Sequence, residues 1–195
     1  MNEDRPVPLP RTVDEPMAFT RDEFRRGTMR AWGMFLLLLL AAEVAATVVS
    51  DLTYVARTGV GHISNIAILP VVLLMSLLIG GVISGLSLLI GVPVAHRIAV
   101  ALRKEARLAV HFAVYAGFGF AFGAVIGGTA YAVASASVTA SLLSALFAAL
   151  IAGVLSSAAV VFAWWTIARD ALRGHRRTQR WRARTDPDAI YEDSV

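Results

Sequence analysis

The sequence contains no cysteine, which excludes a disulfide framework, a thiolate metal site and a cysteine nucleophile. It also lacks a Walker A loop, a GxSxG elbow, an HExxH motif and any pair of acidic residues inside an apolar run. Asp51 and His62 lie in one segment, but two ligands do not make a metal site and no third is near them in sequence. We therefore expect no catalytic residue, metal or cofactor, and an enzymatic role has little support.

Charge is scarce as well, since 57% of the residues are hydrophobic and only 16% are charged. No charged residue occurs from 63 to 95, and between Arg107 and Arg169 the only ionisable group besides tyrosine is His111. Such runs predict membrane-spanning helices. The net charge of +4 comes from residues that flank these runs. We therefore expect membrane lipids with anionic headgroups, and not nucleic acid, as partners.

Four apolar stretches are each long enough to cross a hydrocarbon core of about 30 Å. The uncharged run after Arg107 would reach about 90 Å as one helix, so it must hold two spans. A serine-rich cluster at 135–141 predicts the hairpin between them. The fold class is therefore an all-α integral membrane protein, with four transmembrane helices in a compact bundle. The predicted segments are a disordered tail at 1–19, a transmembrane domain at 20–168 with spans near 31–50, 64–91, 108–134 and 140–168, and an arginine-rich tail at 169–195.

The orientation follows from the lysines and arginines, of which there are eighteen. Six precede the first span, four lie between the second and third spans, seven follow the fourth, and only Arg57 lies on the opposite side. The positive-inside rule then predicts that both termini are cytoplasmic, in the inner or plasma membrane of the cell. The aromatic rings expected at the two membrane interfaces are Trp32, Trp164 and Trp165 on the cytoplasmic side and Tyr54 and Tyr131 outside.

Glu43 is the most unusual residue, because it lies about twelve residues into the first span, where a carboxylate is costly. It predicts an ion path, a proton site or a polar contact with another subunit. The alternative is a protonated acid that hydrogen-bonds a hydroxyl and serves packing only. Counting depth along antiparallel helices brings Ser76 and Ser144 to the level of Glu43, so the three form a candidate polar site. His111 begins the third span, too shallow to pair with Glu43, and is expected at the membrane interface.

Glycines recur at four-residue spacing in the second and third spans, and the fourth span carries a similar row of small residues. Small residues on one face of a helix let two backbones approach closely in a membrane. Two interpretations stay open: packing within one bundle, or a face for a second copy or another membrane protein. The predicted helix-packing positions are Gly81, Gly85, Gly119, Gly123, Gly127 and Gly153.

These features predict a multi-pass membrane protein that acts as an assembly or partner-binding subunit without enzymatic activity. This hypothesis expects Glu43→Gln to be tolerated and Gly123→Leu to be harmful. The alternative is a small ion or solute carrier or channel in which Glu43 binds a cation or a proton.

Overall fold

The structure is a computed structural model that describes residues 21–60, 64–105, 107–135 and 142–185. Apart from short connections this part of the chain is helical, and each of its four helices is long and apolar enough to cross a membrane. The predicted tail at 1–19, the centre of the serine hairpin and the last ten residues lie outside the described residues. The helices are α1 (Arg21–Thr58), α2 (Ser64–Ala101), α3 (Leu108–Ala134) and α4 (Leu142–Thr185).

Three of the helices are longer than the spans that the sequence predicts. α1 has 38 residues, which is about 57 Å and nearly twice the hydrocarbon thickness. α2 contains Pro70 and Pro93 and continues past the expected end at Gly91. Hydropathy marks only the part of a helix at hydrocarbon depth, whereas backbone hydrogen bonding continues into the charged flanks. α3 is the exception, because its bounds coincide with the predicted span 108–134.

The connection between α1 and α2 is fixed at both of its ends. Gly59 has φ of +69°, the left-handed conformation that commonly ends a helix, and its N–H donates to the Val55 carbonyl at 2.9 Å. Asp51, expected in a loop, instead lies inside α1 and is buried. Its carboxylate accepts hydrogen bonds from the Asn65 side chain and from the Ile66 N–H at 3.3 Å. A side chain of α1 therefore satisfies a free amide at the start of α2.

The helices pack unevenly around the molecule. α3 and α4 form the most extensive pair, and α1 packs against both α2 and α4. α2 and α3 have few close approaches although they are consecutive, so the order across the bundle is α2, α1, α4, α3 with an open side between α2 and α3. The predicted compact bundle is not confirmed, because of this open side. We call the end where α1 begins and α4 finishes the terminal end, and the opposite end the loop end.

Candidate functional site

Glu43 lies on α1 with its side chain half-buried, facing α2. The Ser76 hydroxyl donates a hydrogen bond to Glu43 Oε1 at 3.3 Å. Counting residues along the two helices predicts a similar depth for Glu43 and Ser76, and the structure places the two side chains next to each other. Ser144, the third member of the predicted polar site, lies in the first turn of α4. Within the described residues, no group of three histidine, aspartate or glutamate side chains is placed to hold a metal ion.

A second hydrogen bond joins α1 and α2 nearer the terminal end. Trp32 Nε1 donates to Ser84 Oγ at 3.0 Å, and Ser84 in turn donates to the Gly80 carbonyl at 2.6 Å. The sequence predicts that the ring of Trp32 lies at headgroup level. That prediction includes no hydrogen-bond partner for the indole N–H inside the protein. Together with the contacts of Glu43 and Asp51, this bond makes a polar seam along α1 and α2.

α3 and α4 approach each other closely at positions where α3 carries glycine, which has no side chain. A Cβ on Gly119 would lie 2.8 Å from Ser157 Cα, and a Cβ on Gly123 would lie 2.7 Å from the Ala152 carbonyl oxygen. A Cβ on Gly127 would collide with the Ala152 methyl group. Real Cβ atoms do not approach other atoms so closely, so the two backbones can lie at this distance only because these positions are glycine. We call this contact the glycine seam.

The other predicted packing glycines divide into two groups. Gly153 on α4 belongs to the glycine seam, since a Cβ there would lie 3.0 Å from the Phe120 carbonyl oxygen. Gly81 and Gly85 on α2 differ, because among the described residues nothing lies within 4 Å of a Cβ at either position. Glycines with the same four-residue spacing therefore contact α4 in α3, whereas no described residue fills the space beside Gly81 and Gly85 in α2.

His111 is the largest fully buried side chain of the described residues, with 1% of its surface exposed, and this burial inside the protein was not predicted. Its ring stacks on Trp164 with the centroids 5.3 Å apart. Nδ1 lies 3.2 Å from the Arg107 carbonyl, which favours the tautomer that donates from Nδ1. His111 Nε2 and Trp164 Nε1 are both buried, and neither has a hydrogen-bond partner among the described residues. Sequence position gives the depth of His111 but not the direction in which it points.

The two neighbouring tryptophans have different surroundings. Trp164 is buried in the cluster with Tyr115 and Ala168, whereas Trp165 is 43% exposed and carries the Arg169 guanidinium 5.1 Å from its ring centroid. Only Trp165 therefore has the exposure expected of an interfacial ring.

A cavity of about 330 Å³ lies between the helices, and all four contribute to its wall. On α1 it extends from Phe24 to Leu39, which is about 22 Å along the helix axis. It stops one turn before Glu43, so the polar site and the cavity are separate. The lining residues are Phe24, Ala95, Tyr115 and Ile167 at the terminal end, and Leu39, Gly80, Ala130 and Ala152 at the far end.

Most of the cavity wall is apolar, and three of its hydroxyl groups are engaged by their own helices. Thr28, Ser84 and Ser87 each donate to the carbonyl four residues earlier, at 3.1, 2.6 and 2.7 Å. A molecule in the cavity would therefore meet a hydrocarbon surface along most of its length. Pockets of this size and character are typical of sites for small apolar ligands.

Comparison with known proteins finds no match to the chain: no family model, no curated protein and no solved structure is similar to it. Function must therefore be inferred from the polar seam, the glycine seam, the vacant glycines of α2 and the apolar cavity.

Proposed function

We propose that this protein is a non-enzymatic, multi-pass membrane subunit that assembles with a second copy or another membrane protein through the face of α2 around Gly81 and Gly85. The supporting observation is the contrast between two glycine patterns of the same spacing. Gly119, Gly123 and Gly127 of α3 face α4 of the same chain, whereas Gly81 and Gly85 of α2 have open space around them among the described residues.

Helix association in a membrane depends on van der Waals contact, because lipid is as apolar as the side chains and gives no hydrophobic driving force. A glycine pair four residues apart allows a second backbone to come close. α2 packs mainly on α1, and the large side chains beside the pair, among them Leu78, Val82 and Leu86, are exposed. These side chains would flank a partner helix seated over Gly81 and Gly85.

The absence of cysteine makes a crosslinking test of this face straightforward. We expect Gly81→Cys to form a disulfide-linked dimer in native membranes under mild oxidation. Gly117→Cys is the matched control, because Gly117 lies on α3 and likewise has nothing within 4 Å of a Cβ. Adding Gly85→Leu to Gly81→Cys should abolish the crosslink by separating the backbones.

Two results would contradict self-association: equal crosslinking at positions 81 and 117, or a crosslink that survives Gly85→Leu. A detergent-solubilised wild-type protein that is monomeric by light scattering, together with no crosslink, would leave only a different membrane protein as the partner. Native gel electrophoresis of the crude membrane extract, with detection of a tagged chain, then distinguishes the two cases, because a heteromeric complex keeps a larger mass that Gly85→Leu reduces.

We also propose that both termini lie in the cytoplasm of a cell or inner membrane. The support is the exposed arginine and lysine residues at the terminal end, against Arg57 alone at the loop end. Val60→Cys at the loop end should react with a membrane-impermeant maleimide on intact cells. Lys104→Cys at the terminal end should react only after the membrane is permeabilised, and the reverse pattern would refute this orientation.

The second candidate function is a small carrier or channel that uses Glu43. The observation in its favour is the hydrogen bond from Ser76 to a carboxylate deep inside an apolar helix. The cavity ends one turn before Glu43, however, so it does not connect Glu43 to the terminal end. If Glu43 binds a cation or a proton, Glu43→Gln in reconstituted vesicles should abolish flux and its pH dependence. Unchanged flux would exclude the carrier.

A further inference from the structure

We propose that the apolar cavity binds one acyl chain of an anionic phospholipid from the leaflet at the terminal end, with the headgroup held by the arginines there. This inference goes beyond the proposed assembly function, because Gly81 and Gly85 do not line the cavity. It rests on three features: the shape of the cavity, its depth, and the charge around its terminal end.

The shape of the cavity fits a single flexible chain. A volume of about 330 Å³ spread over a length of about 22 Å makes a narrow slot. A partner helix about 10 Å across would need several times this volume over the same length. A methylene chain needs no hydrogen bonds, and the wall is mostly apolar, with the hydroxyls of Thr28, Ser84 and Ser87 donating to carbonyls of their own helices.

The depth of the slot matches one leaflet. Phe24 at its terminal end lies before the predicted start of the first span, at headgroup level. Leu39 at its far end lies near the middle of that span. The slot therefore runs from the interface to about the centre of a hydrocarbon core of roughly 30 Å, which is the path of an acyl chain in one leaflet. The open side between α2 and α3 gives that chain a lateral route into the slot.

The charge at the terminal end complements an anionic headgroup. Arg26 precedes the lining residue Gly27, and Arg97 follows the lining residue Ala95 by two positions; both arginine side chains are exposed. Further exposed cations at this end come from every helix or connection that reaches it. They are Arg25, Arg30, Arg103, Lys104, Arg107 and Arg169. Among the described residues, the acidic side chains at the same end are Asp22, Glu23, Glu105 and Asp170, and Asp170 pairs with Arg30 at 2.8 Å. Cations are thus in excess, and each arginine near a membrane surface attracts anionic lipid by about 1 kcal/mol.

Tryptophan fluorescence tests this proposal, because Trp32 and Trp164 both line the slot. The full chain carrying Trp165→Phe and Trp181→Phe keeps these two as reporters. It is reconstituted in phosphatidylcholine vesicles that contain a small, equal fraction of either phosphatidylglycerol or phosphatidylcholine brominated along the acyl chain. Bromine quenches tryptophan on contact. We expect brominated phosphatidylglycerol to reach half-maximal quenching at an about fivefold lower fraction, the preference that one arginine confers.

Cavity-filling variants separate the slot from lipid that merely surrounds the protein. Ala31→Phe places a ring in the slot and should remove the preferential quenching. Ala45→Phe, on the exposed part of α1 outside the slot, should leave it unchanged. Ala95→Leu repeats the test from α2 should Ala31→Phe lose its helical circular dichroism. Arg26→Gln should shift phosphatidylglycerol quenching toward that of phosphatidylcholine while leaving the maximum quenching intact.

Equal quenching by the two brominated lipids would overturn the proposal, as would preferential quenching that survives both Ala31→Phe and Ala95→Leu. Because none of these variants touches Gly81 or Gly85, a negative result here leaves the crosslinking result for the assembly face unaffected, and the converse also holds.

Discussion

The α1/α2 hairpin and the α3/α4 hairpin are both antiparallel pairs of apolar helices, but they are held together by different means. α1 and α2 meet through side-chain hydrogen bonds such as those from Trp32 to Ser84 and from Ser76 to Glu43. α3 and α4 meet along the glycine seam, where the backbones approach because side chains are missing. In the most apolar stretches of α1 and α2 no residue is buried. In the most apolar stretch of α3, 22% of the residues are buried.

This difference shows how two hairpins of similar composition acquire different rigidity. Van der Waals attraction falls steeply with distance, so closely packed backbones gain contact along their whole length. A side-chain hydrogen bond in a membrane adds only about 0.6 kcal/mol on average and acts at one point. We therefore expect the α3/α4 hairpin to be the rigid half, and the α1/α2 hairpin to be the half that adjusts to a ligand or partner.

The largest expected effect is on the glycine seam. Gly123→Leu should destabilise the protein by about 3 kcal/mol, because its side chain has no space against Ser156 and Ala152 of α4. Thermal unfolding in a mild detergent, followed by circular dichroism, measures the loss. Gly117→Leu on the same helix enters open space and should change stability little. Equal losses in the two variants would show that the seam is not what holds α3 to α4.

An intermediate effect is expected where α1 caps α2. Asp51→Ala removes the acceptor for the Asn65 side chain and the Ile66 N–H, which should cost about 1 to 3 kcal/mol. Faster hydrogen exchange at the first turns of α2, measured by mass spectrometry, would report the loss. Asp51→Asn keeps a side-chain oxygen and should retain most of the protection. The same exchange rates in the alanine variant and the wild type would show that this contact does not stabilise the start of α2.

The smallest effect is expected at the bond between Trp32 and Ser84. Trp32→Phe should cost about 0.6 kcal/mol by losing a single hydrogen bond. A double-mutant cycle with Ser84→Ala isolates this interaction, and Trp165→Phe controls for loss of an exposed indole. A coupling energy as large as the effect of Gly123→Leu would reverse the proposed ranking of the two hairpins.

The sequence predicted the number of helices because charge marks most places where the chain leaves the hydrocarbon, and because the length of the uncharged run after Arg107 and its serine cluster require one more turn. The exclusion of charge is also why the bounds of α3 coincide with the predicted span, since Arg107 and the serine hairpin flank it. Depth along each axis follows from the same count of residues, and it correctly brought Ser76 to the level of Glu43, to which its hydroxyl donates. The C-terminal ends of α1 and α2 were not predicted, because helical hydrogen bonding continues past the apolar segment.

Rotation and neighbour choice could not be predicted, and the physical reason is the uniformity of the apolar runs. A helix that is apolar on every side carries little signal about which face meets protein. For His111 the sequence therefore predicts a depth near the start of the third span, but it does not predict that the ring packs on Trp164. For the same reason, the four-residue glycine spacings of α2 and α3 looked alike in sequence, although only Gly119, Gly123 and Gly127 of α3 meet another helix and Gly81 and Gly85 of α2 do not among the described residues. The apolar cavity left no sequence signal at all.

The contact between α1 and α4 joins the two hairpins, and at the terminal end it includes the ion pair between Arg30 and Asp170. α1 is the first of these helices to be synthesised and α4 the last, so this contact forms only after α4 has been made. Until then the first hairpin resides in the bilayer alone, held by its own hydrogen bonds and its cap at Asp51. Because α2 and α3 have few close approaches, the connection between them is not needed to align one helix against the other. A gene divided within the codons for 102–107 would produce the two hairpins as separate chains. Both chains would retain the α1/α4 contact, and we therefore expect them to recombine into one functional unit.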